Sequence, residues 1–78
     1  MEADKHEESV YIEALKILTP REIEVLELIG KGYTCKHVAE KLNLSVYTVQ
    51  TYVKVIKRKL SVKGYRGLVL WYHKNWEG

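Results

Sequence analysis

The chain has little of what staples, breaks or anchors a small protein. One cysteine, Cys35, in 78 residues rules out an internal disulfide and fits a reducing compartment. Proline occurs once, at Pro20, and the β-branched residues are scattered, so nothing points to a sheet. No apolar run approaches the roughly 18 residues a membrane span needs, and the N-terminus is acidic rather than signal-like. The expectation is a soluble, intracellular chain with no membrane partner. Paired carboxylates, a nucleophile–base set and a phosphate-cradling glycine loop are all missing, so catalysis, a cofactor and a small-molecule ligand are not expected. Cys35 and His37 form a lone Cys-x-His with only His6 and His73 elsewhere. Structural zinc asks for four ligands, so no metal is expected. A redox role for Cys35 through a lowered pKa at a helix start ranks below a plain first-turn position.

What is present is charge, unevenly placed. Residues 1–9 carry Glu2, Asp4, Glu7 and Glu8 against Lys5, whereas the net charge of the whole chain is +3. From Lys31 to Arg66 there are nine cations and one acid, Glu40, a net +8. A concentrated basic surface is the footprint of a polyanion binder, and a merely solvated face is its rival. The length supports one domain with one core.

The centre of the chain is the stretch Ser45 to Leu60, SVYTVQTYVKVIKRKL. Val49, Val53, Ile56 and Leu60 fall on one narrow stripe of a helix. At about 100° per residue, Tyr47, Gln50, Thr51, Lys54 and Arg58 fall opposite. Ser45 is a good N-cap, its hydroxyl accepting from a free backbone N–H of the first turn. Such a helix buries one side and offers amide, hydroxyl and cationic groups on the other, which is what the major groove can pair with. Stacking of Tyr47 and Tyr52 on single-stranded bases is a weaker alternative, since their spacing suits helix packing.

Around it the elements read as helices. Residues 1–9 lack periodicity and read as a disordered arm or linker. Val10, Ala14, Leu15 and Leu18 recur at helical spacing, which allows a short extra N-terminal helix. Thr19-Pro20-Arg21-Glu22 is a strong start, with Thr19 capping, Pro20 at the first helical position and Glu22 completing a capping box. Ile23, Leu26 and Ile29 supply that helix's buried face, and Gly30 and Gly32 end it, one of them left-handed. Thr34 opens a second helix, Cys35 to Leu42, with Val38, Ala39 and Leu42 inward. Asn43 tolerates positive φ at its end. A short helix, a tight turn and a capped helix with a polar outer face make a helix-turn-helix. After the break at 61–64, Tyr65, Leu68, Val69, Trp71, Tyr72 and Trp76 form a last helix apolar over nearly half its circumference. Exposed patches of that kind mark contacts, and a homodimer interface is expected there. Ordinary exposure of Trp76 and Leu70 at a chain end is the plainer reading.

The run LTPREIEVLELIGKGYTCKHVAEKLNLSVYTVQTYVKVIKRKLSVKG, Leu18 to Gly64, resembles the LuxR/GerE-type helix-turn-helix of bacterial transcription regulators. The likeness extends over about residues 18–74. It rests on Leu18 to Glu22, Val25-Leu26, the Gly32 break, Val38-Ala39, Leu42, Ser45, Thr48-Val49 and Lys59-Leu60. It implies an all-α, four-helix domain at 18–78 behind an N-terminal arm at 1–17. The third helix would lie in the major groove of double-stranded DNA and the last would dimerise. Carried over by position, Gln50, Thr51 and Lys54 face bases. Lys36, Ser45, Tyr47, Thr48, Lys57 and Arg58 meet the backbone, which fixes register. Leu68, Leu70, Trp71 and Tyr72 form the dimer interface. Tyr52, His37 and Tyr65 depart from the residues most common there; the first two lie at helix-packing or capping positions and so question details of backbone contact more than the fold. The resemblance further implies a cytoplasmic, nucleoid-associated bacterial regulator, either stand-alone or an excised domain. Two alternatives share the scaffold: a helical module that pairs with and modulates another regulator, and a promoter-binding domain like region four of sigma factors. The ending Lys59 to Gly64 and the aromatic last helix favour the LuxR/GerE reading over the latter.

Overall fold

A computed structural model describes residues 12–76; the arm expected at residues 1–9, and Val10 with it, lie outside them. Helix α1 covers described residues 12–17, followed by α2 (Pro20–Gly30), α3 (Cys35–Leu42), α4 (Val46–Leu60) and α5 (Gly64–Asn75), with no strand among the described residues. The starts of α2, α3 and α4 have local causes in side-chain caps, whereas α5 starts without one. Thr19 Oγ1 accepts from the Glu22 N–H at 3.1 Å while the Thr19 N–H donates to Glu22 Oε1 at 2.9 Å, a complete capping box. Gly32, at φ 102°, takes the left-handed turn after α2 that a side chain would strain.

Helix α2 is the hub and packs against α3, α4 and α5. Val25, Leu26 and Ile29 of α2 meet Val38 and Ala39 of α3 and Val49, Val53 and Ile56 of α4 in one core. Each buried aliphatic side chain is worth about 1.5–3 kcal/mol, so the α4 stripe alone fixes that helix's rotation. Ala14 and Leu18 belong to the same core, so packing begins inside the 1–17 segment expected to be an arm.

Helix α5 corrects the sequence reading of its apolar arc. Leu68 is fully buried against the domain's own core, at 0% exposure, and so drops out of the expected dimer surface. Trp76, just past α5, is buried as well, and its Nε1–H donates to Glu27 Oε2 at 3.3 Å. The Tyr72 ring lies directly over Gly30, where any Cβ would collide with it. Gly30 is thus needed for close approach of α2 and α5, while Gly32 takes the turn. Leu70 remains 63% exposed, with Trp71 half-buried beside it.

Candidate nucleic-acid interface

The α3–α4 turn sets the angle at which α4 is presented. Asn43 ends α3 in the left-handed conformation at φ 58°, ψ 47°, and the Leu44 N–H returns to the Ala39 carbonyl at 2.8 Å. Small Ala39, 3% exposed, sits in the core at this crossing. Ser45 then caps α4, its Oγ accepting from the Thr48 N–H at 3.0 Å and lying 2.9 Å from Thr48 Oγ1, to which it donates. Thr34 does the same for α3, accepting from the His37 N–H at 3.2 Å; the His37 ring Nδ1 is 3.1 Å from the same hydroxyl. His37 therefore supports a cap, as its position suggested.

With Val49, Val53 and Ile56 buried, the other side of α4 faces outward. Gln50, Thr51, Lys54 and Arg58 are exposed, and Tyr47 is 78% exposed. Gln50, Thr51 and Lys54 share an open cleft of about 380 Å³ with Tyr47, Lys57, Cys35 at the start of α3 and Tyr65 at the start of α5. Thr48 lies on the far side of Tyr47 and Thr51, in a second hollow shared with Tyr52. Lys36 and Ser45 are exposed outside the cleft. Tyr47 is thus no packing residue, whereas Tyr52 is half-buried against the core.

Electrostatics divide the cations. Lys59, counted with the basic segment, turns inward: its Nζ donates to Glu22 Oε1 and to the Ile17 carbonyl, both at 2.9 Å. Burial alone would raise the Glu22 carboxyl. The hydrogen bond from Lys59, those from Thr19 and the Lys59 charge outweigh it and hold the group below the ordinary carboxylate value. One ammonium so joins the end of α1, the start of α2 and the last turn of α4. Lys41 Nζ sits 5.1 Å from the Tyr33 ring centroid, a cation–π distance. Among the described residues, Lys36, Lys54, Lys57 and Arg58 take part in neither ion pair, Arg21–Glu24 nor Lys59–Glu22, leaving their charge for an external anion.

Sequence reasoning missed the walls of the cleft. Tyr65 donates its hydroxyl to the Tyr33 carbonyl at 2.6 Å, tying the start of α5 to the loop before α3. Burial pushes the Tyr65 phenol and the Cys35 thiol up, and for Cys35 the Lys57 charge offsets only part of it. That direction is opposite to the lowered pKa a reactive cysteine requires. Among the described residues no group of three His, Cys, Asp or Glu side chains is arranged to hold a metal, and no helix is long and apolar enough to cross a membrane.

A helix-turn-helix presenting an unneutralised basic and amide-bearing helix from a small all-α core defines the class: a DNA-binding regulator domain. Within that class the chain belongs to the luxR family of bacterial regulatory proteins, whose GerE domain matches residues 16–72. It is similar to the oxygen regulatory protein NreC of Staphylococcus haemolyticus (strain JCSC1435), 46% identical over 66 residues, 83% of this chain and 30% of that protein. NreC of Staphylococcus aureus (strain JH9) is 50% identical over 54 residues, 69% of this chain and 25% of the relative. The chain spans less than a third of the length of these relatives.

Proposed function

We propose that the domain reads double-stranded DNA with α4 in the major groove and regulates transcription from the sites it selects. The observation that carries this is the division of α4: its aliphatic stripe is buried while Gln50, Thr51 and Lys54 stand together, exposed, in one open cleft. Lys54 suits guanine O6 and N7, and Gln50 suits bidentate pairing with adenine. Lys36, Lys57 and Arg58 supply charge to phosphates on either side of that line, and Tyr47 and Thr48 flank it. Ser45 acts through the cap it makes on α4 and through its place at the groove edge. A second copy would pair through the exposed remainder of α5, with Leu70 and Trp71 at its centre and Tyr72 at its margin.

Salt titration of binding to a duplex site tests the reading. Three phosphate-facing cations per copy give a slope of log K against log salt of about −2.7, at about −0.9 each, and twice that for a bound pair. Alanine at Gln50 or Lys54 should narrow the gap between preferred and random duplex by about 1–3 kcal/mol. Affinity indifferent to salt would favour the protein-pairing alternative. Equal weakening on every sequence would move both residues to the phosphates.

A further inference from the structure

We infer that the Tyr47 ring and the Thr51 methyl form an apolar notch that takes the C5-methyl group of a thymine, adding a methyl reader to the base-facing edge of α4. The inference deepens the DNA-reading proposal and rests on it. Thr51 is exposed, yet its hydroxyl donates to the Tyr47 carbonyl one turn back at 3.1 Å. Back-bonding of this kind holds χ1 in one well and commits the hydroxyl's proton. What Thr51 then offers to a groove is its methyl and, with its proton committed, a hydroxyl oxygen that can only accept. Tyr47 is the most exposed large hydrophobic side chain of the described residues, at 78%. Nothing in the packing of the domain calls for an aromatic ring there. Tyr47 and Thr51 are one helical turn apart, and both line each of two hollows. One is the cleft with Gln50 and Lys54, its lining of mixed polar and apolar character; the other holds about 190 Å³ and is lined by Tyr47, Thr48, Thr51 and Tyr52, with a mostly apolar wall. In the major groove the only apolar group a base presents is the thymine methyl, and threonine methyl and aromatic carbon are its usual partners. The site should therefore contain a thymine beside the bases that Gln50 and Lys54 read.

The test starts from duplexes selected by the full chain from a random library. Each thymine of the consensus is replaced in turn by deoxyuridine, which removes the methyl and keeps the pairing and O4. Binding is then compared for the unaltered chain, Tyr47→Ala, Tyr47→Phe and Thr51→Ser at one salt concentration. At one thymine, or at it and its symmetry mate, loss of the methyl should weaken binding by roughly fourfold per site, the value of one buried methyl group. That penalty should vanish in Tyr47→Ala and in Thr51→Ser, which keeps the hydroxyl. It should persist in Tyr47→Phe, which keeps the ring and loses only the phenol that a phosphate contact would use. Indifference to uracil at every thymine overturns the notch while leaving DNA reading intact, and so does a penalty of the same size in all three variants. Absence of any selected duplex removes the underlying reading as well.

Discussion

Helices α4 and α5 carry similar ingredients, aliphatic and aromatic residues with several cations, and the fold uses them differently. In α4 the buried positions form a narrow stripe, and Gln50, Thr51, Lys54 and Arg58 off that stripe stay exposed. In α5 the apolar arc is broad, and α2 covers most of it: Leu68 is fully buried, Tyr72 lies across Gly30 and Trp76 donates to Glu27. A narrow stripe leaves one way to dock, so its outer face can be read directly. A broad arc only says that something covers it, and here the cover is mostly the domain itself. The apolar surface left exposed on α5 is accordingly small, centred on Leu70.

The sharpest way to break this comparison is to truncate neighbours on α5. Leu68→Ala should cost about 2–5 kcal/mol in denaturant unfolding, enough to threaten a marginally stable domain of this size. Leu70→Ala should stay within about 0.5 kcal/mol. Leu70→Glu should leave unfolding of the monomer unchanged and shift sedimentation toward the monomer. Equal losses at 68 and 70 would mean that α5 sits rotated from the orientation described. Gly30→Ala comes next. Its added methyl has no room under Tyr72, and the displacement should cost about 1–3 kcal/mol. Tyr72→Leu introduced alongside it should recover part of that loss, a non-additivity expected of residues in contact.

These pairs also mark how far the sequence could be read. The Thr19–Glu22 capping box, the Ser45 cap, the left-handed Asn43 and the α4 stripe were all visible, because each is written within about one or two helical turns. The exposure of Gln50, Thr51 and Lys54 followed from that stripe. Gly30 under Tyr72, Lys59 on Glu22 and Tyr65 on the Tyr33 carbonyl join residues 42, 37 and 32 positions apart. Periodicity reports which face of a helix is apolar and carries no information on which element covers it. Lys59 therefore looked like one more surface cation, and Leu68 like interface. The left-handed Ser61, φ 58°, was hidden for another reason: glycine or asparagine is the usual signal for that conformation, and serine gives none.

The Lys59–Glu22 pair has a pH signature that tests it against the surface cations of α4. Its partners hold the Glu22 carboxyl below its ordinary value, so the folded state binds that proton less tightly than the unfolded chain. The stabilisation is complete above the unfolded carboxylate pKa and is lost as pH falls through the lowered folded value. Lys59→Met should cost about 1–3 kcal/mol at neutral pH, since it strips a buried carboxylate of its strongest donor; Lys59 itself is 32% exposed, and solvent screening favours the lower end. The gap between variant and parent should narrow as the solution is acidified below the carboxylate range. Lys54→Met should show neither the loss nor the pH dependence. A constant gap at every pH would reduce Lys59 to packing by its aliphatic stem.

The smallest effect separates two roles of Ser45. As a cap, its oxygen accepts from the Thr48 N–H; as a neighbour of a phosphate, it must tolerate a negative charge nearby. Alanine at 45 removes the cap and should cost about 1 kcal/mol of stability. Aspartate restores an acceptor of the same reach and favours the positive end of the helix dipole, so Ser45→Asp should unfold within about 0.5 kcal/mol of the parent. On DNA the ordering should invert: Ser45→Ala weakens binding only slightly, through a frayed first turn, whereas Ser45→Asp sets a carboxylate against the backbone and weakens all sequences alike, more strongly at low salt. If aspartate at 45 binds DNA as well as serine does, the start of α4 points away from the phosphates, and the side of the helix that enters the groove must begin further along, at Gln50 or beyond.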